Sequence, residues 1–297
     1  MLADPFRVPG PAVVSFSGGR TSAYMLWRVL QAYGGTLPED VLVCFANTGR
    51  EMPATLDFVH RCGSAWNVPI HWLEYHRDAQ GHVSAVEVSH NSASREGEPF
   101  AMAIAAKAML PNPVIRYCTV ELKIRTIRRW CVDQFGKGIT WTQVVGLRAD
   151  EPNRVERMLS PKARKKAGAE SRYVVLPLAT AGITKPDVMA FWSRQPFDLG
   201  LKGAWEGNCD GCFLKRRAAV ARMFRDHPER MTWWEEVEEA RKADHPRVRK
   251  PGVALFRMDR PPYSEIRRIE MDQARLDLDP EDDGMDVFAA CDAGCGV

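Results

Sequence analysis

The sequence predicts an α/β fold: a doubly wound, mostly parallel sheet followed by a helical, cysteine-bearing C-terminal part. Three observations carry that expectation. Short apolar runs at 12–16 (AVVSF), 41–46 (VLVCFA), 69–73 (PIHWL) and 141–147 (WTQVVGL) read as buried strands. Stretches with apolar residues at helical spacing lie between them, as in Leu26, Val29, Leu30 and Tyr33, then Met52, Leu56, Val59, Gly63 and Trp66. Polar, glycine-bearing turns follow the first two strands, where right-handed crossovers place the ligand crevice of such a sheet. The expected division is an α/β domain over 1–200 and a helical region over 201–297 packed on it.

With 297 residues, 45% hydrophobic and 27% charged, the chain has a globular composition and enough length for one large core. No apolar run approaches the roughly 20 residues of a bilayer-spanning helix. The N-terminal MLADPFRVPGPAVV lacks a basic stretch followed by an apolar one. A cytoplasmic protein with no membrane partner is the expectation. A net charge of +3 does not by itself argue for nucleic acid, although residues 148–172 concentrate cations and 270–292 are acidic. Eight cysteines in a cytosolic chain are not read as disulfides and have to be sorted singly.

The first strand runs into Ser17, Gly18, Gly19, Arg20, Thr21 and Ser22, and a helix starts at once. Two glycines allow a sharp turn and close approach of the backbone to a ligand, and a helix start offers unpaired N–H groups with a positive dipole end. Thr21 and Ser22 add hydroxyl donors, and Arg20 adds a charge if it points inward. This is an anion cradle without the Gly-Lys-Ser/Thr closure of a Walker loop; an ordinary capped turn is the alternative. The second strand ends in Asn47, Thr48 and Gly49 at the same edge of the sheet. The strand at 141–147 leads to Arg148, Glu151 and Arg154. Forked guanidinium groups suit phosphate or sulfate, and Glu151 can orient an arginine or hold a ribose hydroxyl or metal; a surface ion-pair cluster is the alternative.

Elsewhere the signals are structural. His71 and His76 flank the third strand without ligand spacing. Residues 84–98 read as loop and 99–110 as helix. Residues 160–172 (SPKARKKAGAESR) have few apolar side chains and read as a mobile loop, placed to act as a lid or merely solvated. Thr184 and Pro186 mark a helix start.

Cys44, Cys62 and Cys131 fall on apolar faces and read as core thiols. Cys118 lies between Arg116 and Lys123 at a helix start expected to be capped by Thr119. Cys209 and Cys212, spaced C-D-G-C before a basic helix start, form a metal knuckle or a redox pair, and Cys291 and Cys295 lie in the tail. Four such thiolates suit a tetrahedral zinc ion or a [4Fe–4S] cluster.

The ordered motifs SFSGGRTS, FANTG, RYCTVELK, GLRADEPNR, PLATAGITKPDV and GNCDGCFLK together resemble the phosphoadenosine phosphosulfate (PAPS) reductase-like family of the adenine nucleotide alpha-hydrolase, or PP-loop, superfamily. The resemblance covers residues 14–214. It implies that Ser17–Ser22 bind phosphates of ATP or a PAPS-like adenylyl nucleotide, with Asn47, Thr48, Gly49 and Glu151 beside it and Arg148 and Arg154 at its anionic end. It also implies a [4Fe–4S] cluster, rather than zinc, on Cys118, Cys209, Cys212 and a tail cysteine, Cys291 or Cys295, with Cys291 preferred. Catalytic roles fall to Cys295, Arg148 and Lys123. The implied activity is sulfonucleotide reduction with a thiol electron donor such as thioredoxin. ATP-dependent sulfur insertion into nucleic acid and non-catalytic nucleotide binding are the alternatives. Two departures stand out: a lone Cys118 where cluster-bearing reductases carry adjacent cysteines, and Thr21 where many pyrophosphatases carry Asp.

Overall fold

The computed structural model describes residues 4–244 and 254–272. Its sheet has the order β4-β3-β2-β1-β5-β6. The strands are β1 (Ala12–Ser15), β2 (Val41–Asn47), β3 (His71–Arg77), β4 (Val83–Val88), β5 (Trp141–Val144) and β6 (Arg172–Val175). Around them lie α1 (Arg20–Ala32), α2 (Pro53–Ala65), α3 (Glu98–Lys107), α4 (Thr126–Phe135), α5 (Pro152–Leu159), α6 (Pro161–Ala169), α7 (Pro177–Thr180), α8 (Lys185–Trp192), α9 (Arg217–Asp226), α10 (Pro228–Asp244) and α11 (Tyr263–Asp272). All strand pairs are parallel except β3 with β4. The winding direction reverses between β1 and β5, which opens a crevice at their carboxyl ends.

The apolar run Ala12–Val14 of β1 follows from its central place, and the buried Ser15 that ends the strand accepts from Gln143 Nε2 at 3.2 Å. Val13 packs with Cys44, Leu73, Trp130, Cys131 and Trp141 on the face covered by α4. Ala12 and Val14 pack on the opposite face with Leu26, Val29, Leu56 and Val59 of α1 and α2 and with Phe191 and Trp192 of α8. A strand buried on both faces has no polar side to alternate with. A second apolar cluster gathers α3, α9, α10 and α11 around Trp234, whose ring meets those of Phe100, Phe256 and Tyr263. No described helix is long and apolar enough to cross a membrane.

Three local expectations are corrected. Part of 84–98 is not loop but β4, whose alternation of half-buried and exposed residues (VSAVEV) is that of an edge strand pairing antiparallel with β3. Thr119 is not a cap, because helical geometry already begins at Tyr117 and residues Thr119–Arg125 wind as a π-helix straight into α4. The Thr126 hydroxyl donates to the Glu121 carbonyl at 2.8 Å inside this wide turn. Residues 160–172 are not a loop: α6 forms there, with Ser160 Oγ accepting from the Ala163 N–H at 3.3 Å and Pro161 in the first turn. Its lysines, arginine and alanines are good helix formers, so the scarcity of apolar residues reflects exposure.

Candidate functional site

A cavity of about 600 Å³ opens at the carboxyl ends of β1 and β5. Its floor is the turn from β1 into α1, lined by Ser17 through Ser22. Gly18 takes φ +82°, and a Cβ there would stand 2.7 Å from Thr55 Cγ2. Gly19 has ordinary dihedrals, and the nearest atom to a Cβ on it is Ser17 Oγ at 4.0 Å. The two glycines therefore do different work: Gly18 makes the turn, and Gly19 leaves the backbone bare toward the cavity. Ser22 ties the loop, accepting from the Ser17 N–H at 3.1 Å and donating to the Gly19 carbonyl at 3.0 Å. The first-turn N–H groups of α1 have no intrahelical acceptors and present a positive dipole end.

Six cationic side chains line the cavity, Arg20, Lys123, Arg148, Arg154, Lys185 and Lys202, against the carboxylates Glu51 and Glu151. Arg148 donates from Nη1 to Thr21 Oγ1 at 3.1 Å and from Nε to Asp150 Oδ1 at 2.8 Å. Glu151 accepts from the Arg148 backbone N–H at 3.0 Å and from the Arg154 guanidinium, and its carboxylate lies 3.5 Å from Arg148 Nη1. Arg20 lines the cavity, yet its guanidinium is held in a fork by Asp198 at 2.6 and 2.7 Å. That pairing holds the Asp198 carboxyl below its ordinary range.

Asn47, Thr48 and Gly49 stand behind the cavity wall. Asn47 is buried and donates to Glu74 at 2.6 Å and to the Ser94 carbonyl at 2.9 Å. The Thr48 N–H donates to Glu51 at 2.9 Å, and the Thr48 hydroxyl donates to both oxygens of the same carboxylate. This turn aims Glu51 into the cavity, with Lys123 Nζ 3.8 Å away.

The C-D-G-C knuckle follows directly on Gly207 and Asn208 of the cavity lining and packs behind Glu51. Glu51 and Cys209 make an antiparallel bridge, the Asp210 N–H donates to the Arg50 carbonyl at 2.8 Å, and Thr48 Oγ1 lies 3.5 Å from Cys209 Sγ. Asp210 is fully buried and receives Arg50 at 2.7 Å, Arg230 at 2.8 Å and Trp234 Nε1 at 2.6 Å. Lys215 is also fully buried, its ammonium donating to the carbonyls of Trp205 and Gly207. Burial lowers its pKa to about 8, while nearby Cys212, Asp210 and Cys209 pull the other way. Cys44, Cys62 and Cys131 are buried as expected, and burial pushes their thiols up.

Cys118, Cys209 and Cys212 belong to one apolar cluster. Among the described residues, however, no three His, Cys, Asp or Glu side chains are grouped to hold a metal ion. Cys291 and Cys295 lie outside the described residues. The described residues by themselves supply fewer than the four thiolates such a centre needs, and a tail cysteine would have to complete it.

Comparison with known proteins supplies the family. The chain is 30% identical over 230 residues to the uncharacterized nin region protein ORF290 of Escherichia phage lambda, covering 72% of this chain and 69% of the phage protein. It belongs to the ORF290 family. No family model matches the chain. Among solved structures, the U34-tRNA thiolase NcsA from Methanococcus maripaludis with its [4Fe–4S] cluster aligns with 12% identity and a TM-score of 0.37, over 88% of this chain and 71% of that one.

In this ORF290-family chain the structure adds cavity residues that motif reading passed over, Lys185, Lys202 and Asn208, and takes Glu51 from the 47–51 turn that the sequence places at this edge. Glu51 was legible as the acidic residue closing the turn after β2. Lys185 sits in a segment read only as a helix start. Lys202 and Asn208 lie in an irregular strap whose position no local pattern encodes.

Proposed function

We propose that this protein is a PP-loop enzyme that binds ATP by its phosphates and activates an acceptor for sulfur transfer. The observation that carries the nucleotide reading is the cavity itself. A bare glycine backbone, a helix N-terminus and six cations converge on a volume of about 600 Å³, within the range of small-ligand sites. Arg148, fixed by Thr21, Asp150 and Glu151, is preset for the charge that builds on the phosphates. In the proposed reaction an acceptor oxygen attacks the α-phosphorus and pyrophosphate leaves. Sulfur supplied as sulfide then displaces AMP from the adenylylated centre. Lys123, beside Glu51, is positioned to neutralise the leaving pyrophosphate.

Sulfonucleotide reduction is the second reading. It needs a thiolate in line with the bound sulfur, and among the described residues no cysteine lines the cavity. Cys295 would have to supply it. A [4Fe–4S] centre on Cys118, Cys209, Cys212 and Cys291 is a separate proposal, tested by iron and acid-labile sulfide in anaerobically purified protein.

The deciding experiment incubates the protein with ATP or with PAPS and identifies the products. Pyrophosphate and AMP from ATP support sulfur insertion, whereas sulfite from PAPS would replace that reading with the reductase. Arg148→Ala should weaken ATP binding about ten- to a hundred-fold, the worth of one charge-assisted hydrogen bond of about 1.5–3 kcal/mol. Arg125→Ala, on an exposed side chain paired with Glu121, should leave it unchanged.

A further inference from the structure

From Arg157 to Lys166 five of ten residues are cationic and none is acidic. All five, Arg157, Lys162, Arg164, Lys165 and Lys166, are exposed. Lys162, Lys165 and Lys166 share one face of α6 by the i, i+3, i+4 spacing. The apolar residues of the arm are turned inward, where Val155, Met158 and Leu159 pack with Val145, Leu147 and Leu176 beside the sheet. α5 begins at the cavity: Glu151 and Arg154 line it, and Arg157 follows Arg154 by nearly one turn. Cationic charge thus runs from the cavity mouth along α5, where Glu156 is the one exposed acid, onto α6.

The geometry points to a docking track for a single nucleic-acid strand, which makes that strand the sulfur acceptor and so rests on the nucleotide reading above. Repeated surface cations without base-reading geometry match a repeating phosphate backbone. A protein partner would call for buried aromatic or aliphatic anchors, and a membrane surface for an apolar helix face. None of the large exposed hydrophobic side chains lies between residues 152 and 171. A strand rather than a duplex fits because a base must leave its stack to enter a cavity of this size.

The test measures anisotropy of fluorescent 20-nucleotide RNA and DNA strands with the full-length protein. Lys162→Glu, Lys165→Glu and Lys166→Glu combined should weaken strand binding at least tenfold. ATP binding, read separately by calorimetry, should stay the same in the combined variant. Wild-type affinity should fall steeply with salt, with a log–log slope of about −2 for three phosphate contacts. Unchanged strand binding in the variant, a flat salt response, or preference for polyglutamate or anionic phosphatidylserine vesicles over both strands would overturn the track. Loss of ATP binding with strand binding intact in the wild type would instead sink the nucleotide reading alone.

Discussion

The cradle that floors the cavity and the knuckle packed behind its lining are built in opposite ways. The cradle is local: Ser17, Gly18, Gly19 and Ser22 hold one another within six consecutive residues, through one left-handed glycine and short serine bonds. The knuckle is assembled from afar. Asp210 is gripped by Arg50 and Arg230, the Gly211 carbonyl accepts from Tyr263, the Lys215 carbonyl accepts from Arg260, and Cys209 touches Thr48. A wall made by one backbone dihedral fails first in what it binds. A knuckle held by buried charge fails first in whether it folds.

The largest effect should therefore come from Asp210→Ala. It strands Arg50, 1% exposed, and Arg230, 11% exposed, without their shared carboxylate, and leaves Trp234 Nε1 without its acceptor. Breaking such a buried pair costs about 3–5 kcal/mol. Urea denaturation of wild type and variant measures it directly. A loss below about 1 kcal/mol would mean that packing of Trp234 and Phe256, not the ion cluster, holds the knuckle.

The glycines sharpen the contrast at intermediate size. Gly18→Ala forces a Cβ onto a left-handed position 2.7 Å from Thr55, which should cost about 1–3 kcal/mol. Gly19→Val meets open space and should shift stability by no more than about 0.5 kcal/mol while removing ATP binding. Thermal melts and calorimetric titration of both variants separate the two roles. Equal destabilisation by both would merge them.

Much of this was legible in the chain because much of it is local. The doubly wound sheet followed from apolar runs that are buried on both faces, and the cradle from two adjacent glycines at a strand end. The arginine pair with its glutamate was readable because Arg148 and Arg154 each lie three residues from Glu151. β4 escaped because an edge strand needs only half of its side chains to be apolar. α6 escaped because a helix exposed nearly all round carries no apolar stripe. The strap with Lys202, and the partners of Asp210, escaped for a different reason: Arg50 and Asp210 are 160 residues apart, and neither signals the other in sequence.

The smallest effect belongs to the Arg20–Asp198 fork, which ties the cradle helix to the strap that follows α8. The Arg20 hydrogen bonds lower the Asp198 pKa, so the carboxylate is favoured in the folded protein. A carboxyl depressed on folding contributes stability above its unfolded pKa of about 4, and that contribution is lost as pH falls through the lower folded value. With side chains 27% and 44% exposed, solvent screens the pair, and its worth at pH 7 should lie under about 1 kcal/mol. Asp198→Asn should therefore be slightly less stable than wild type at pH 7, and the gap should close as the pH is lowered below 4. Salt should shrink the pH 7 gap as well, since the pair is exposed. A gap that persists at low pH would assign the loss to the Leu199 N–H, which donates to Asp198 at 2.7 Å, rather than to the charge on Arg20.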